Sequence, residues 1–243
     1  MGMGEKASAL FLPSFEERRA NPGAADRVVY PRKIHTARRA KDIIFPDRPS
    51  PGLVTIMEGW AFRYRRMPDG RRRILSILLP GDRVGFEALT ARLPHYGVQS
   101  LTEVTYSILD PASSMQLLSE RRFVDDVLAR MMVDQCLSDD WLTYLVSSTA
   151  EERVAALLID LYERLLKLGL AKDGIFTIAL TQQQMSEMVG LHAIHLNRVM
   201  RHLKGRGLIA VTGKEITLLD LDQLGVLRPR FGTEDVVLES ELF

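Results

Sequence analysis

Residues 181–208, Thr-Gln-Gln-Gln-Met-Ser-Glu-Met-Val-Gly-Leu-His-Ala-Ile-His-Leu-Asn-Arg-Val-Met-Arg-His-Leu-Lys-Gly-Arg-Gly-Leu, constrain the fold more tightly than any other part of the chain. Thr181 and Gln184 have the spacing of a capping box, in which two side chains satisfy each other's orphan backbone amides, and predict a helix from Gln182 to about Val189. Met185, Met188 and Val189 give that helix an inward face, and Gly190 supplies a tight turn. Leu196, Val199, Met200 and Leu203 then fall at helical spacing, with Gly205 and Gly207 ending the second helix. Helix, short glycine turn, helix is the helix-turn-helix pattern. Residues 208–212 and 215–219, flanking Gly213-Lys214, read as two strands about a tight turn, the wing of a winged helix.

The outward side of the second helix carries Ala193, Ile194, His195, Asn197, Arg198, Arg201 and His202. Asparagine pairs bidentately with adenine, arginine with guanine or phosphate, and alanine or isoleucine packs on thymine methyls. From Thr181 to Lys214 there are five Lys and Arg against one Glu, a local charge of +4, whereas Glu215 onward carries seven acidic and two basic residues. Positive charge thus gathers on the helix-turn-helix and wing, and the acidic tail is expected to face away from DNA. Arg198 and Arg201 alone would also suit a solvated face; the turn, the wing and their placement together favour a helix that reads a duplex. His192, His195 and His202 invite a metal reading, but no Cys, Asp or Glu completes a site on the same helix.

Upstream the texture is different. From Ile43 to Leu109, short apolar segments alternate with turn signals, as in antiparallel β-structure. Residues 53–57 read as a buried strand. Trp60, Phe62 and Tyr64 alternate with Ala61, Arg63 and Arg65 as one inward face, Pro68-Asp69-Gly70 is a strong turn, and residues 72–79 form the next strand. Val98, Ser100, Thr102, Val104, Tyr106 and Ile108 alternate again. After Pro111 the period becomes helical, with helices expected at residues 112–119 and 122–147. The longer has its best seven-residue stripe at Val124, Leu128, Met131, Gln135, Ser138, Leu142 and Leu145, with two polar members; it reads as a dimer helix or an internal core helix. Thr149 with Glu152 predicts another capping box, ahead of an apolar face at Val154, Leu157, Leu158, Leu161 and Leu165 that stops at Gly169; residues 175–180 read as a strand.

The expected organisation is an α+β chain: an N-terminal extension over 1–27 with one short helix near 14–20, an antiparallel β-roll or jelly roll over 28–120, a long helix over 121–147, a winged helix-turn-helix over 148–225 and an acidic tail over 226–243. No apolar run approaches a bilayer span, and Met1-Gly-Met-Gly-Glu-Lys lacks a hydrophobic signal segment, so a cytoplasmic protein without membrane partners is expected. The single cysteine, Cys136, excludes an internal disulfide and a cysteine-ligated iron–sulfur cluster.

This order of parts resembles the Crp/Fnr superfamily of bacterial transcription regulators. Gly190-Leu191, Asn197-Arg198 and Gly207-Leu208-Ile209 sit in the family's pattern, while Glu58-Gly59-Trp60 and residues 79–85, Leu-Pro-Gly-Asp-Arg-Val-Gly, are similar to turns of its cyclic-nucleotide-type β-roll. The resemblance implies a homodimer that binds an inverted-repeat site on double-stranded DNA, with RNA polymerase as a further partner, and no enzymatic activity. It places Ala193, Ile194, Asn197 and Arg198 on base edges, and Thr181, His192, His195, Arg201 and Lys214 on phosphates. A base-reading Glu of many members falls at Ile194, so the DNA site is expected to differ from the family consensus, and His192 stands where a Ser or Thr cap is usual. The effector pocket would involve Gly85, Phe86, Glu87, Gln99 and Ser100; Gln99 replaces the family's phosphate-binding arginine, which argues against cyclic AMP or GMP. The effector is therefore unassigned. Constitutive binding without an effector is one alternative; a haem-based gas sensor using His35 or His95 is another, without specific support. A cupin-like metalloenzyme would need clustered histidines, and the barrel region offers only those two. Seven arginines between Arg63 and Arg83 could meet an anionic effector or RNA polymerase, or simply solubilise a hairpin.

Overall fold

The computed structural model describes residues 32–90 and 92–228. The expected extension, its short helix, and the tail beyond Arg228 lie outside the described residues. The chain divides into two compact units after Leu128.

The first unit opens with strands β1 (Lys33–Ala37), β2 (Asp42–Ile44), β3 (Leu53–Glu58), β4 (Ala61–Arg66), β5 (Arg72–Leu78), β6 (Arg83–Val84), β7 (Gly97–Ser100) and β8 (Val104–Leu109), with a 3-10 helix at Phe86–Thr90. They form two four-stranded antiparallel sheets, ordered β1-β8-β3-β6 and β2-β7-β4-β5. Their facing side chains, among them Ile44, Val54, Ile56, Ala61, Leu78, Val98 and Val104, make one buried core, as in two sheets closed over a shared interior.

Two sequence expectations need correction here. The alternation from Val98 to Ile108 is broken at residues 101–103, and its halves join different sheets. In β4 both faces start buried, since Ala61, Phe62 and Tyr64 are all covered, as is Trp60 just before it. Ala61 and Arg63 pair with Ser100 and Val98 of β7, so Arg63 shares the core-facing side. An amphipathic pattern cannot distinguish these faces when both are covered at one end of the strand. Gly85, at φ +88°, sits where a Cβ would run into the carbonyl oxygen of Gly52; only glycine fits this loop.

Helix α1 (Pro111–Leu117) starts on Asp110, whose side chain accepts from the Ser113 amide. Helix α2 (Arg121–Ser147) follows. A second core joins Leu53, Leu89, Leu109 and Leu117 to Phe123 and Val127 on the first turns of α2, with Phe86 packed against it.

The second unit contains the rest of α2 with α3 (Ala150–Lys167), β9 (Ala171–Lys172), β10 (Ile175–Thr177), α4 (Gln182–Met188), α5 (Ala193–Gly205), β11 (Ile209–Thr212), β12 (Glu215–Leu218) and α6 (Leu221–Leu227). The Thr149–Glu152 capping box is formed, with Glu152 accepting from the Thr149 amide at 2.7 Å and Thr149 Oγ1 from the Glu152 amide at 3.3 Å. Val154, Leu157, Leu158, Leu161 and Leu165 are buried, as their spacing predicts. The sheet runs β11-β12-β10-β9. The strand expected over residues 175–180 stops at Thr177 and pairs with β9, which no sequence signal marked. Helix α6 is likewise new, and Arg228 behind it grips Glu163 with Nη1 at 2.9 Å from both carboxylate oxygens, while Nε lies 3.4 Å from Tyr144 Oη.

Candidate nucleic-acid interface

The helix-turn-helix is built from residue chemistry outward. Thr181 and Gln184 form the reciprocal cap of α4, and Met185, Met188 and Val189 are buried beneath it. Gly190 adopts φ +65°, the left-handed conformation that lets the chain turn sharply. A Cβ there would stand 3.3 Å from Arg153 Nη1 and 3.5 Å from Leu145 Cδ2. Leu196, Val199 and Leu203 are buried on the inner side of α5, and Met200 is half-buried. Burying each leucine stabilises the unit by roughly 1.5–3 kcal/mol, which fixes the rotation of α5 about its own axis.

That rotation decides what faces outward. Ile194 is 83% exposed, Arg198 and Arg201 are exposed, and Ala193 and Asn197 are half-buried. Ile194, Asn197, Arg198 and Arg201 recur at three- and four-residue steps, so they share one face. A thirteen-residue helix is about 20 Å long and narrow enough for a major groove. His192 is the N-cap of α5 and makes no side-chain capping bond. The Thr181 hydroxyl is engaged in its own cap, accepting from the Gln184 amide at 3.2 Å. Lys214 is exposed at the β11–β12 turn, where Gly213 takes φ +61°.

One participant has no sequence signature. Glu151, in the first turn of α3, lies 2.5 Å from Arg206 Nη1 and 3.6 Å from His202 Nε2. Together with Thr149, Ala150, His195, Arg198, Val199 and His202 it lines a groove between α3 and α5. The groove opens beside the amides that begin α3, the positive end of its dipole. His195 and Arg198 therefore stand in a cationic cleft that Glu151 partly neutralises. The pairing spans residues far apart in sequence, which is why local reading misses it.

The five residues proposed for an effector pocket have different partners. Gln99 Nε2 donates to Asp42 Oδ1 at 3.1 Å, in a cluster that Arg72 and Tyr64 complete. Ser100 Oγ donates to the Arg38 carbonyl at 2.6 Å, and Phe86 packs toward α2. Only Gly85 and Glu87 share a partner, Tyr96. The Gly85 amide donates to Tyr96 Oη at 3.0 Å, and that hydroxyl donates to Glu87 Oε2 at 3.0 Å. Burial, reinforced by the Glu87 charge, pushes the Tyr96 phenol well above its usual range, so it stays a proton donor. Arg63 Cζ lies 5.6 Å from the Tyr96 ring centroid, with Nε donating to Ser76 Oγ at 2.7 Å.

The arginine-rich segment is likewise divided: Arg63 faces the core, Arg72 binds Asp42, Arg83 pairs with Asp126 and Arg71 with Asp69, leaving Arg65, Arg66 and Arg73 exposed. Among the described residues no group of three or more His, Cys, Asp and Glu is placed to hold a metal ion. His35 stacks on Tyr106 and His95 meets Tyr96 edge-on. No described helix is long and apolar enough to cross a membrane.

On α2, Leu128, Met131, Gln135, Ser138 and Leu142 of the expected stripe are exposed, at 53% for Leu128 and 60% for Leu142. Val124 and Leu145 are half-buried, Leu145 because it approaches Gly190. Met132, Leu137 and Val146 extend the exposed apolar surface beyond that stripe.

Known proteins align with these features. Residues 152–227 match the Crp-like helix-turn-helix domain. The nitrogen fixation regulation protein FixK of Bradyrhizobium diazoefficiens is 30% identical over 194 residues, 78% of each chain. An anaerobic regulatory protein of Haemophilus influenzae is 30% identical over 179 residues, covering 71% of this chain and 67% of that one. In fold, FixK2 from Bradyrhizobium japonicum superposes with a TM-score of 0.74 at 21% identity, over 82% of this chain and 98% of that one. A CRP-family transcriptional regulator from Thermus thermophilus gives 0.66 at 22% identity, over 79% and 95%. Likeness of this extent, across β-roll, long helix and winged domain alike, makes the chain a member of the Crp/Fnr superfamily of DNA-binding transcription regulators.

Proposed function

We propose that the protein acts as a homodimer on an inverted-repeat DNA site, with α5 of each copy in a major groove. Arg198 reads a base, Asn197 contributes a second polar contact, and Ala193 and Ile194 pack on thymine methyls. Thr181, His192, His195, Arg201 and Lys214 hold phosphates. The observation that carries this reading is the division of α5 into a buried leucine face and an exposed face bearing Ile194, Asn197, Arg198 and Arg201. A bulky aliphatic side chain left 83% exposed beside an arginine has no packing role in the monomer, and it suits a groove floor bearing methyl groups. Pairing along α2 is supported by Leu128, Met131 and Leu142, whose side chains are left roughly half exposed among the described residues, at 53%, 47% and 60%. Two-fold pairing would set the recognition helices about 34 Å apart.

A regulator of this kind works in the cytoplasm, recruits or blocks RNA polymerase, and has no catalytic step. Selection of bound duplexes from a random pool tests the reading: it should return an inverted repeat with half-sites one turn apart, and recovery of single half-sites or of no preferred sequence would overturn it. Constitutive binding is favoured over a nucleotide-gated scheme by one observation, that Gln99 and Ser100 are hydrogen-bonded to Asp42 and the Arg38 carbonyl while Gly85 and Glu87 are bonded to Tyr96.

A further inference from the structure

The loop that follows β6 is held by a side chain from elsewhere in the roll. Tyr96 is 4% exposed and packs with the core that includes Ala61, Leu78 and Val98. Its hydroxyl takes the Gly85 amide as donor and the Glu87 carboxylate as acceptor, each at 3.0 Å. A tethered phenol thus satisfies the Gly85 amide and one Glu87 carboxylate oxygen together. Arg63 adds a guanidinium over the same ring, itself fixed by Ser76.

The loop does not end there. Phe86 and Leu89, on either side of Glu87, pack into the cluster containing Phe123 and Val127 of α2, while Arg83, just before the loop, pairs with Asp126. Three successive anchors on α2 therefore depend on where residues 83–89 sit. Tyr96 is buried, so any other arrangement of the loop leaves its hydroxyl without a partner inside the core, which favours this one.

We propose that Tyr96 is the resident ligand of the roll: a positioning residue whose phenol engages Gly85 and Glu87, two of the residues expected to meet an effector, fixing the 85–90 loop and the first turns of α2 so that DNA binding needs no small molecule. This rests on the reading of the chain as a dimeric DNA-binding regulator, but only in its last clause. The organising step belongs to the first unit and is measurable without DNA.

The test uses the full chain and two variants. Tyr96→Phe keeps the ring and removes the hydroxyl. Tyr96→Gly removes the whole side chain, and p-cresol, which has the same atoms as the lost group, is the probe used to refill the space. Hydrogen exchange should quicken about tenfold at residues 85–90 and 121–128 in Tyr96→Phe, the factor that corresponds to one lost charge-assisted bond. Affinity for the selected duplex should fall by a similar factor. In Tyr96→Gly both defects should be deeper, and millimolar p-cresol should reverse them, turning an unregulated protein into a phenol-gated one. Wild-type affinity should be the same before and after unfolding, exhaustive dialysis and refolding. Unchanged exchange in Tyr96→Phe at both segments overturns the proposal, even where Tyr96→Gly fails to fold. So does a folded Tyr96→Gly protein that p-cresol leaves unaffected, or a wild-type protein that loses its DNA affinity on dialysis. If wild type selects no duplex at all, the reading of function fails, while the exchange result still decides the role of Tyr96.

Discussion

Replacing Arg198 by alanine isolates the base-reading step. The side chain is exposed on α5 and lines the groove opposite Ala150 and Glu151. Its loss should leave folding intact, within about 0.5 kcal/mol, as for surface substitutions generally. A bidentate arginine–guanine contact gives roughly 1–3 kcal/mol of discrimination, which converts to about 5- to 150-fold in relative affinity. The assay is electrophoretic or fluorescence titration against the selected repeat and against four duplexes carrying each base at one half-site position. Arg198→Ala should flatten the preference at that position while leaving the salt dependence nearly unchanged. A phosphate contact would behave otherwise: affinity would fall evenly on every duplex, and with one arginine lost from each copy of the dimer the slope of log K against log salt would shrink by about 1.8. That result, or no change at all, would refute the assignment of Arg198 to a base edge.

Other expectations follow from packing and charge. Leu203→Ala, at a fully buried site on the inner face of α5, should destabilise the second unit by about 2–5 kcal/mol in denaturant titration. Leu142→Glu places a charge on the exposed stripe of α2 and should shift sedimentation toward monomer and abolish binding to the full repeat; an unchanged dimer would rule out that face as the interface. Asp110 has its carboxyl held below the usual range, first by the Ser113 amide at 3.0 Å and then by the Ser113 hydroxyl at 2.7 Å. Because the folded state holds the proton less readily, this cap contributes fully above the ordinary carboxylate value of about 3.9 and is lost as pH falls through the depressed one. Asp110→Asn should therefore show a shallower loss of stability in acid than wild type by thermal melts.

Local chemistry made the winged domain readable. Both capping boxes, at Thr149 and Thr181, depend on residues three apart, and both are formed. The leucine spacings of α3 and α5 were equally legible, since a period of 3.6 states which side is buried. What escaped involves partners distant in sequence. Arg63 resembled a solvent-facing strand residue because its neighbours Phe62 and Tyr64 are large and apolar, yet it shares the inner side with Ala61. Sequence pattern assigns Gln99 and Ser100 to the family's phosphate positions, whereas their hydrogen bonds run to Asp42 and the β1–β2 turn. Tyr96 carried no motif, and its meaning depends on a loop eleven residues upstream. Strand β9 and helix α6 are short, and their stability comes from what they pack on rather than from periodicity.

The grip of Arg228 on Glu163 sets a distance. Glu163 and Glu151 belong to the same helix, α3, and at 1.5 Å per residue they are about 18 Å apart along its axis. One end of this rigid ruler meets the cationic helix through Arg206; the other marks where the polypeptide departs. The separation is about twice the Debye length at physiological ionic strength. Under the proposed mode of binding, with the duplex at the Arg206 end, Arg228 thus marks a point about two screening lengths away, and the acidic Glu234, Asp235, Glu239 and Glu241 all follow it in sequence.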